Sequence, residues 1–255
     1  MYTPHKELGQ NFLTDREVAR TMVAGLELSP GDEVVEIGAG LGAVTEELAE
    51  QAVSDETVVH AVEIDIRFVE TLKTMFLQNM NINIVEANIL DWLPTFIPKN
   101  DFKVIGSLPY YITSPIIHKI LEMERLPRIC VLMIQKEVAE KIAAQVPDAS
   151  YMSSVVQTFY DVEYVAKVPK GKFVPSPKVD GGIIKMVRKT GQAVVHEEIK
   201  KYEGFLHRGY ASPRKKVNKV LDKDELARTG IDGNLRPQNL SADDWVRAYR
   251  ILRAD

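Results

Sequence analysis

The feature that most constrains the fold is a regular alternation of short apolar runs with amphipathic stretches over the first two thirds of the chain. Apolar runs of strand length lie at residues 33–38, 57–64, 82–87, 102–107 and 128–134. The intervening segments have helical periodicity, which predicts helices at residues 16–28, 43–52, 66–78 and 114–124, and helical stretches from 136 to about 160. Strands that alternate with helices predict an α/β fold with a mostly parallel sheet.

The pattern changes toward the end of the chain. Two further strand-like runs, 161–168 and 181–188, have no helix between them, so we expect the last strand to be antiparallel. After Gly191 the sequence consists of charged helical segments. We therefore predict two domains: an α/β domain at residues 1–190 and a small all-helical domain at residues 191–255.

Composition narrows the function classes. No apolar signal region opens the chain, and no run of 18 apolar residues predicts a membrane span. The single cysteine, Cys130, lies in the apolar run RICVLMI and is expected to be a buried thiol, which fits a reducing, cytoplasmic setting. The five histidines lack metal-ligand spacing, so no metal site is predicted.

Charge is distributed unevenly along the chain. Residues 163–220 hold 14 Lys and Arg against 5 Asp and Glu, a local net charge of +9. Because the whole chain carries −4, the remainder carries −13. A basic region on an acidic body is compatible with a nucleic-acid-binding face and equally with a solvated, lysine-rich surface.

A glycine-rich loop follows the first strand of the alternating pattern. Gly38, Gly40 and Gly42 lie in EIGAGLGAVTEEL, where glycine permits a tight turn and close backbone approach to a ligand. Glu63 ends the second strand, where a carboxylate can bind both hydroxyls of a ribose. The two features predict an adenosine-containing cofactor, and they leave NAD and S-adenosylmethionine open.

The stretch Ser-Leu-Pro-Tyr at residues 107–110 ends the fourth strand and favours S-adenosylmethionine. An exocyclic amine on a base is a poor nucleophile because its lone pair is delocalised into the ring. The Ser107 hydroxyl and the Leu108 carbonyl can accept the amine hydrogens and direct that lone pair toward a sulfonium methyl. Pro109 restricts Leu108 to extended geometry, and the Tyr110 ring can stack on the base.

With these motifs in place, the chain resembles the ribosomal RNA adenine dimethyltransferases over about residues 5–255. The matching stretches are LGQNFLTD, EIGAGLGAVTEEL, VEID, FVPSPKVD and RGYASPRKKVNKVL. The resemblance implies a class I, Rossmann-like methyltransferase sheet. It also implies transfer of methyl groups from S-adenosyl-L-methionine to N6 of two adjacent adenosines in the 3′-terminal hairpin loop of small-subunit rRNA. The expected partner is small-subunit rRNA or a pre-30S-type subunit, and the expected state is a monomer in the cytoplasm.

The resemblance also assigns cofactor contacts. Asn11 and Leu13, in the family's cofactor-covering N-terminal segment, would contact the cofactor. Gly38 and Gly40 would approach its methionine part, and Glu63 would bind its ribose.

Two cofactor-site positions depart from the family pattern. Residue 88 is usually Asp and would meet the adenine amino group, but here it is Asn88, whose side-chain oxygen is still an acceptor. Residue 107 is usually Asn, and here it is Ser107. Serine occurs at this position in the wider class of amino-group methyltransferases, so activity is expected.

The RNA side is assigned in the same way. Phe173, in FVPSPKVD, would stack on the flipped target base opposite Tyr110. Its flanking lysines argue against full burial of the ring and suggest phosphate contacts. The stretch RGYASPRKKVNKVL resembles the basic helix that opens the family's C-terminal domain. Arg208, Lys215 and Lys219 can share one face of an unbroken helix, although Pro213 argues against an unbroken one. The predicted RNA-binding residues are Lys170, Lys172, Lys178, Arg208, Arg214, Lys215, Lys216 and Lys219.

Three other functions remain open at this point. A sister activity on large-subunit rRNA, which confers macrolide-type resistance, shares the cofactor and catalytic motifs. A non-catalytic ribosome-assembly factor with the same fold would fit Ser107 and Asn88. An NAD-dependent oxidoreductase fits the glycine loop but lacks an evident Tyr-x-x-x-Lys or His constellation.

Overall fold

A computed structural model describes residues 10–51, 56–191 and 194–253 of the chain. It contains nine strands in these ranges. They are β1 (Phe12–Leu13), β2 (Glu33–Ile37), β3 (Val58–Glu63), β4 (Ile82–Glu86), β5 (Phe102–Ser107), β6 (Ile129–Gln135), β7 (Tyr160–Val168), β8 (Phe173–Val174) and β9 (Gly181–Arg188). The ten helices of the described residues are α1 (Arg16–Gly25), α2 (Ala43–Gln51), α3 (Ile66–Met75), α4 (Ile89–Trp92), α5 (Thr113–Leu121), α6 (Lys136–Ala143), α7 (Tyr151–Phe159), α8 (Ile199–Tyr210), α9 (Lys223–Thr229) and α10 (Ala242–Arg253).

Seven strands form one sheet in the order β4-β3-β2-β5-β6-β9-β7. The pairs β2–β3, β2–β5, β3–β4 and β5–β6 are parallel, and β9 is antiparallel to β6. The prediction of a mostly parallel α/β sheet with an antiparallel last strand is confirmed. The strand order reverses between β2 and β5, and such a switch opens a crevice at the carboxyl ends of the two strands.

The central strands are buried and consist mostly of apolar residues, although β2 also contains two buried glutamates. All five residues of β2 are buried, and Cys130 in β6 is buried as predicted. The core between the sheet and its helices includes Met22 of α1, Leu48 of α2 and Leu72 of α3, each with no exposed surface. Mostly apolar strands of this kind are expected in a parallel sheet.

Element boundaries differ from the predictions where a local conformation ends a helix. The first helix stops at Gly25 rather than at residue 28, because Glu27 adopts a left-handed backbone with φ of 53°. The predicted stretch from 136 to 160 contains two helices, α6 and α7. The Gln157 side chain donates to the Ile142 and Ala144 carbonyls at the end of α6. Residue 52, the predicted end of the second helix, lies outside the described residues.

A two-stranded antiparallel sheet, β1 with β8, was not predicted. Phe12 pairs with Val174, and Leu13 pairs with Phe173. The N-terminal segment is thereby joined to a loop about 160 residues further along the chain. Strands of two residues carry too little periodicity for a sequence pattern to reveal them.

The chain divides into two compact units, and the division does not follow a single cut. One unit comprises residues 10–139 and 163–187, and the other comprises 140–162 and 188–253. The predicted domain boundary at residue 190 lies close to residue 187, after which the chain enters the second unit for the second time. Within the second unit, α7 is bound to α8 by hydrogen bonds of 2.8 Å between the Ser154 and Tyr210 hydroxyls and between the Thr158 and Tyr202 hydroxyls.

Candidate active site

A cavity of about 270 Å³ opens at the carboxyl ends of β2 and β5, where the strand order reverses. Ile37, the last residue of β2, is the register partner of Gly106, so the loops after the two strands start side by side. The structure brings most of the predicted site residues to this cavity. Those lining it are Asn11, Gly38, Gly40, Glu63, Asn88, Ser107, Leu108, Pro109, Tyr110 and Phe173.

The glycine loop lies at one end of the cavity. Gly38 and Gly40 have φ of 70° and 56°, a left-handed conformation that residues with a Cβ rarely adopt. A Cβ added at Gly40 would lie 3.3 Å from the Phe12 ring, so the N-terminal segment packs closely on the loop. Glycine is needed at Gly40 both for its dihedral angles and for this contact.

Glu63 fixes the loop through its carboxylate. Its Oε2 accepts from the Gly40 N–H at 2.8 Å, and its Oε1 accepts from the Ile64 and Asp65 N–H groups, both at 2.8 Å. Burial raises the pKa of Glu63, and the three backbone donors oppose that rise. A carboxylate offers about four acceptor positions, so Oε2 retains one for a hydroxyl group.

Sequence reasoning missed Glu36, which lies in β2 beneath the glycine loop. Its side chain is 2% exposed and accepts from the Thr45 hydroxyl at 2.7 Å. Burial raises the pKa of Glu36 to about 7, so much of this carboxyl is protonated at neutral pH. The signal was present, because an acidic residue inside an apolar strand is costly unless it is paired or neutral.

Asn88 follows β4 and begins α4. Its Oδ1 accepts from the Leu90 N–H at 3.0 Å, as an N-cap residue does. Asparagine and aspartate serve this cap almost equally well, so an aspartate at residue 88 would accept the same bond. Asparagine in place of the family's usual Asp does remove a negative charge from the cavity wall.

The segment after β5 forms the opposite end of the cavity. Ser107 is half-buried, and Leu108 continues the strand pairing through its N–H, which donates to the Met133 carbonyl at 2.9 Å. Pro109 is extended, with φ of −56° and ψ of 133°. Tyr110 is half-buried, and burial raises the pKa of its hydroxyl, which keeps the ring neutral.

Phe173 lines the cavity, but the expectation that its lysine neighbours keep it out of the core is wrong. The ring is 5% exposed and belongs to the hydrophobic core. The reason is strand geometry: in β8 successive side chains point to opposite faces, so Phe173 points inward while Val174 is exposed.

The two predicted residues of the N-terminal segment differ in position. Asn11 lines the main cavity. Leu13 is 6% exposed and belongs to the core, and it lines only a smaller recess beside the glycine loop. Residues 8 and 9 of the motif LGQNFLTD lie outside the described residues.

The lysines around Phe173 have unlike surroundings. Lys172 forms an ion pair with Asp15, and its hydrogen bond to that carboxylate lowers the pKa of Asp15. The Lys170 N–H donates to Asp180 Oδ1 at 2.9 Å while its side chain is exposed. Lys178 is exposed as well. The exposed ammonium groups of Lys170 and Lys178 are therefore better placed for phosphates than that of Lys172.

Residues 208–221, where Pro213 left the continuity of the helix open, do not form one continuous helix. Helix α8 ends at Tyr210, and residues 217–219 form a separate 3-10 turn, so Arg208, Lys215 and Lys219 do not share a helix face. Pro213, in the gap, cannot donate the backbone hydrogen bond that a continuing helix needs.

The cations of this segment also differ in their partners. The Arg208 guanidinium bonds to Glu225 at 2.8 Å, and Lys216 Nζ bonds to Asn234 Oδ1 at 3.0 Å. Arg214, Lys215 and Lys219 are exposed. Some cations of this segment are therefore bonded to another side chain, and others face solvent.

Across residues 10–51, 56–191 and 194–253, no three His, Cys, Asp or Glu side chains are grouped so that they could hold a metal ion. Over the same ranges, none of the helices has the length and apolar character needed to cross a membrane.

Comparison with known proteins identifies the family. The sequence profile described as ribosomal RNA adenine dimethylase matches residues 1–254. The chain is 32% identical over 256 residues to a ribosomal RNA small subunit methyltransferase A of Sulfurihydrogenibium sp. (strain YO3AOP1), covering 99% of this chain and 97% of the relative. The chain belongs to the ribosomal RNA adenine dimethylase family. The predicted resemblance is thereby confirmed, and with it the enzyme class, an rRNA adenine dimethyltransferase.

Two solved structures of related enzymes superpose on this fold over nearly the whole chain. A dimethyladenosine transferase from Plasmodium falciparum superposes with a TM-score of 0.77 at 25% identity, covering 93% of this chain and 95% of that one. The 23S rRNA methyltransferase ErmE gives 0.76 at 26% identity, covering 95% and 99%. Scores this similar cannot distinguish the two substrates. The small-subunit names of the curated relatives favour the small-subunit function over the large-subunit alternative.

Proposed function

We propose that this chain transfers methyl groups from S-adenosyl-L-methionine to N6 of two adjacent adenosines in the 3′-terminal hairpin loop of small-subunit rRNA. It acts as a cytoplasmic monomer on that rRNA or on a pre-30S-type subunit. The observation that carries the proposal is one continuous cavity with the glycine loop and Glu63 at one end and Ser107 to Tyr110 at the other.

The glycine-loop end fits the cofactor. Gly38 and Gly40 expose backbone where no side chain intervenes, and Glu63 Oε2 retains an acceptor position for a ribose hydroxyl. Asn88 and Ile89 line the wall beside them and would enclose the adenine. When bound, the cofactor supplies an electrophilic methyl group on its sulfonium.

The Ser107 end fits the target amine. The hydroxyl of Ser107 and the carbonyl of Leu108 accept the two N6 hydrogens, which directs the nitrogen lone pair toward the methyl group. Leu108 is held by its bond to Met133, and Pro109 keeps it extended, so the carbonyl needs no rearrangement during the reaction.

The adenine ring is held by aromatic side chains. Tyr110 stacks on one face and Phe173 forms the wall on the other, an arrangement that requires the base to be flipped out or in a loop. As the bond from sulfur to methyl breaks, the N6–methyl bond forms and the nitrogen releases a proton to solvent. A second round on the same nitrogen gives the dimethylated base.

The RNA backbone is bound by exposed cations of both units, each acting on phosphates. On either side of Phe173 these are Lys170 and Lys178, and in the helical unit they are Arg214, Lys215 and Lys219. Arg208 and Lys216 contribute less, because each already has a side-chain partner. The unit of residues 10–139 and 163–187 thus carries the methyl-transfer site, and the helical unit supplies much of the rRNA contact.

The test is methyl transfer to unmethylated small and large ribosomal subunits, with the modified bases located by mass spectrometry. Wild type should dimethylate two adjacent adenosines of small-subunit rRNA. Ser107→Ala should lower the rate about 10²-fold, the range for one positioned polar group at a reacting centre. Its affinity for S-adenosylmethionine in calorimetry should stay within about twofold.

Three outcomes would contradict the proposal. Methylation of large-subunit rRNA alone would support the sister activity. An inactive wild type with an active Ser107→Asn variant would support the assembly factor. Equal rates for wild type and Ser107→Ala would remove Ser107 from the catalytic machinery.

A further inference from the structure

The N-terminal strap, which we define as residues Gln10–Asp15, holds the backbone around Phe173. Leu13 is the register partner of Phe173 in the β1–β8 sheet. Just beyond the sheet, the Thr14 N–H and hydroxyl both donate to the Lys172 carbonyl, at 2.9 and 3.0 Å. The position of Phe173 at the cavity wall therefore depends on contacts with the strap.

The other end of the strap lies against the cofactor side of the cavity. The Phe12 ring meets Phe68 edge-on at 5.1 Å between centroids and packs on the backbone of Gly40. Gln10 Nε2 donates to Asp65 Oδ2 at 2.9 Å, two residues after Glu63. The strap thus links the glycine loop to the segment that presents Phe173.

One ion pair anchors this link. Asp15 Oδ1 accepts from the Val18 N–H at 3.1 Å and caps α1, while Asp15 Oδ2 pairs with the ammonium of Lys172. Lys172 immediately precedes Phe173 in the sequence. The cap holds Asp15 to the start of α1, so the ion pair connects that helix to the residue next to Phe173.

We propose that Asp15 and Lys172 are positioning residues for the methyl-transfer reaction, holding Phe173 at the cavity wall through the strap. The inference rests on the proposed function, because it takes Phe173 as a contact of the target base. It reassigns Lys172, which the sequence placed among the RNA-binding cations. A Lys172 that contacted phosphate would leave Asp15 without a role in turnover, whereas a positioning pair requires both residues equally.

The variants that separate these roles are Asp15→Asn and Lys172→Met, each alone and combined. Asparagine caps a helix as well as aspartate does, so Asp15→Asn removes the ion pair and retains the cap. The conservative variant is Lys172→Arg, which keeps the charge. Glu17→Gln is the matched control, because it removes one negative charge two residues from Asp15 on the exposed face of α1.

We expect each single variant to lower kcat about tenfold, because small misplacements of a substrate-positioning group are costly. The combined variant should be no more than about twofold slower than either single one, since the two changes remove the same interaction. Lys172→Arg should retain at least about half of the wild-type kcat, and Glu17→Gln should match wild type. The salt dependence of rRNA binding should be unchanged in all of them.

A second readout does not depend on activity. The Thr14 amide, bonded to the Lys172 carbonyl, should exchange its hydrogen at least about tenfold faster in Asp15→Asn and Lys172→Met than in wild type or Glu17→Gln. If wild type transfers no methyl groups, the proposed function fails, while this exchange still shows whether the pair holds the strap. Unchanged exchange would overturn the positioning role.

A phosphate contact at Lys172 has a different signature. Lys172→Met would then weaken rRNA binding and reduce the salt slope by about 1, and Asp15→Asn would bind rRNA as well as wild type or better. That result, or wild-type kcat in Asp15→Asn, would overturn the inference while leaving the proposed function intact.

Discussion

The glycine loop and the basic segment at residues 208–219 are equally conspicuous as sequence motifs, but the loop acts through its backbone and the segment through its side chains. In the loop, Gly40 is left-handed, and its N–H is fixed by Glu63. In the basic segment, with its long side chains, Arg208 is bonded to Glu225. A function that the backbone performs can be inferred from the residue type. The function of a charged side chain depends on whether the fold places a partner beside it.

Phe173 shares features with both the glycine loop and the basic segment. Its sequence surroundings are those of an exposed RNA-binding loop, but its ring is buried at the wall of the cavity. It should therefore respond to mutation as a core residue and as a site residue. Three predictions follow from the comparison, in order of decreasing effect.

The largest effect should come from Phe173→Ala. Removing a buried phenylalanine side chain costs about 3–5 kcal/mol of unfolding free energy, measured by urea denaturation. Phe173→Leu should cost less than about 1.5 kcal/mol, because most of the packed volume is retained. The leucine variant therefore stays folded under assay conditions and isolates the loss of the ring, which should lower turnover more than rRNA binding.

A small loss of stability in Phe173→Ala would contradict the assignment of Phe173 to the core. If the free energy of unfolding fell by less than about 1 kcal/mol, the ring would not be part of the core, and Phe173 would belong with the exposed cations. Full turnover in Phe173→Leu would instead show that an aromatic ring is not required at this wall.

The next largest effect should come from Glu63→Ala. It removes the acceptor for a ribose hydroxyl and leaves the Gly40, Ile64 and Asp65 N–H groups without their side-chain partner. Charge-assisted hydrogen bonds are worth about 1.5–3 kcal/mol, so calorimetry should show affinity for S-adenosylmethionine lowered at least tenfold.

Glu86 provides the matched control for Glu63. It is the register partner of Glu63 on the neighbouring strand β4, but its side chain is exposed. Glu86→Ala should leave the affinity for S-adenosylmethionine within about twofold of wild type. Equal losses in the two variants would mean that overall charge, rather than the geometry of the glycine loop, determines binding.

The smallest effect should come from reversing exposed charges in the basic segment. The double variant Lys215→Glu with Lys216→Glu should reduce the salt slope of rRNA binding by about 1–2 and leave cofactor affinity unchanged. Of the two single variants, Lys215→Glu should have the larger effect, because Lys216 is already bonded to Asn234.

Lys223, exposed on α9 in the same unit, serves as the control for charge reversal. Lys223→Glu should have a smaller effect on the slope than either of the other variants. If all three lysines contribute equally, rRNA binding reflects only the net charge of this unit, and residues 208–219 have no special place in the interface.

The sheet, the glycine loop and the Ser107–Tyr110 segment could be predicted from the amino-acid sequence. These follow from local rules: apolar runs form buried strands, glycine permits left-handed turns, and parallel strands end at one edge. Because Ile37 and Gly106 come into register in that sheet, motifs about 70 residues apart meet in one cavity. The alternation pattern that revealed the strands therefore sufficed to predict that the glycine loop and the Ser107–Tyr110 segment share one site.

The contacts between residues distant in sequence could not be predicted in this way and are known from the structure. The β1–β8 pairing and the ion pair of Asp15 with Lys172 join residues about 160 positions apart, and no periodicity marks either of them. The burial of Phe173 and the pairing of Arg208 with Glu225 depend likewise on packing between segments. A side chain's sequence neighbours fix its backbone preferences, but its environment is set by whatever the fold brings against it.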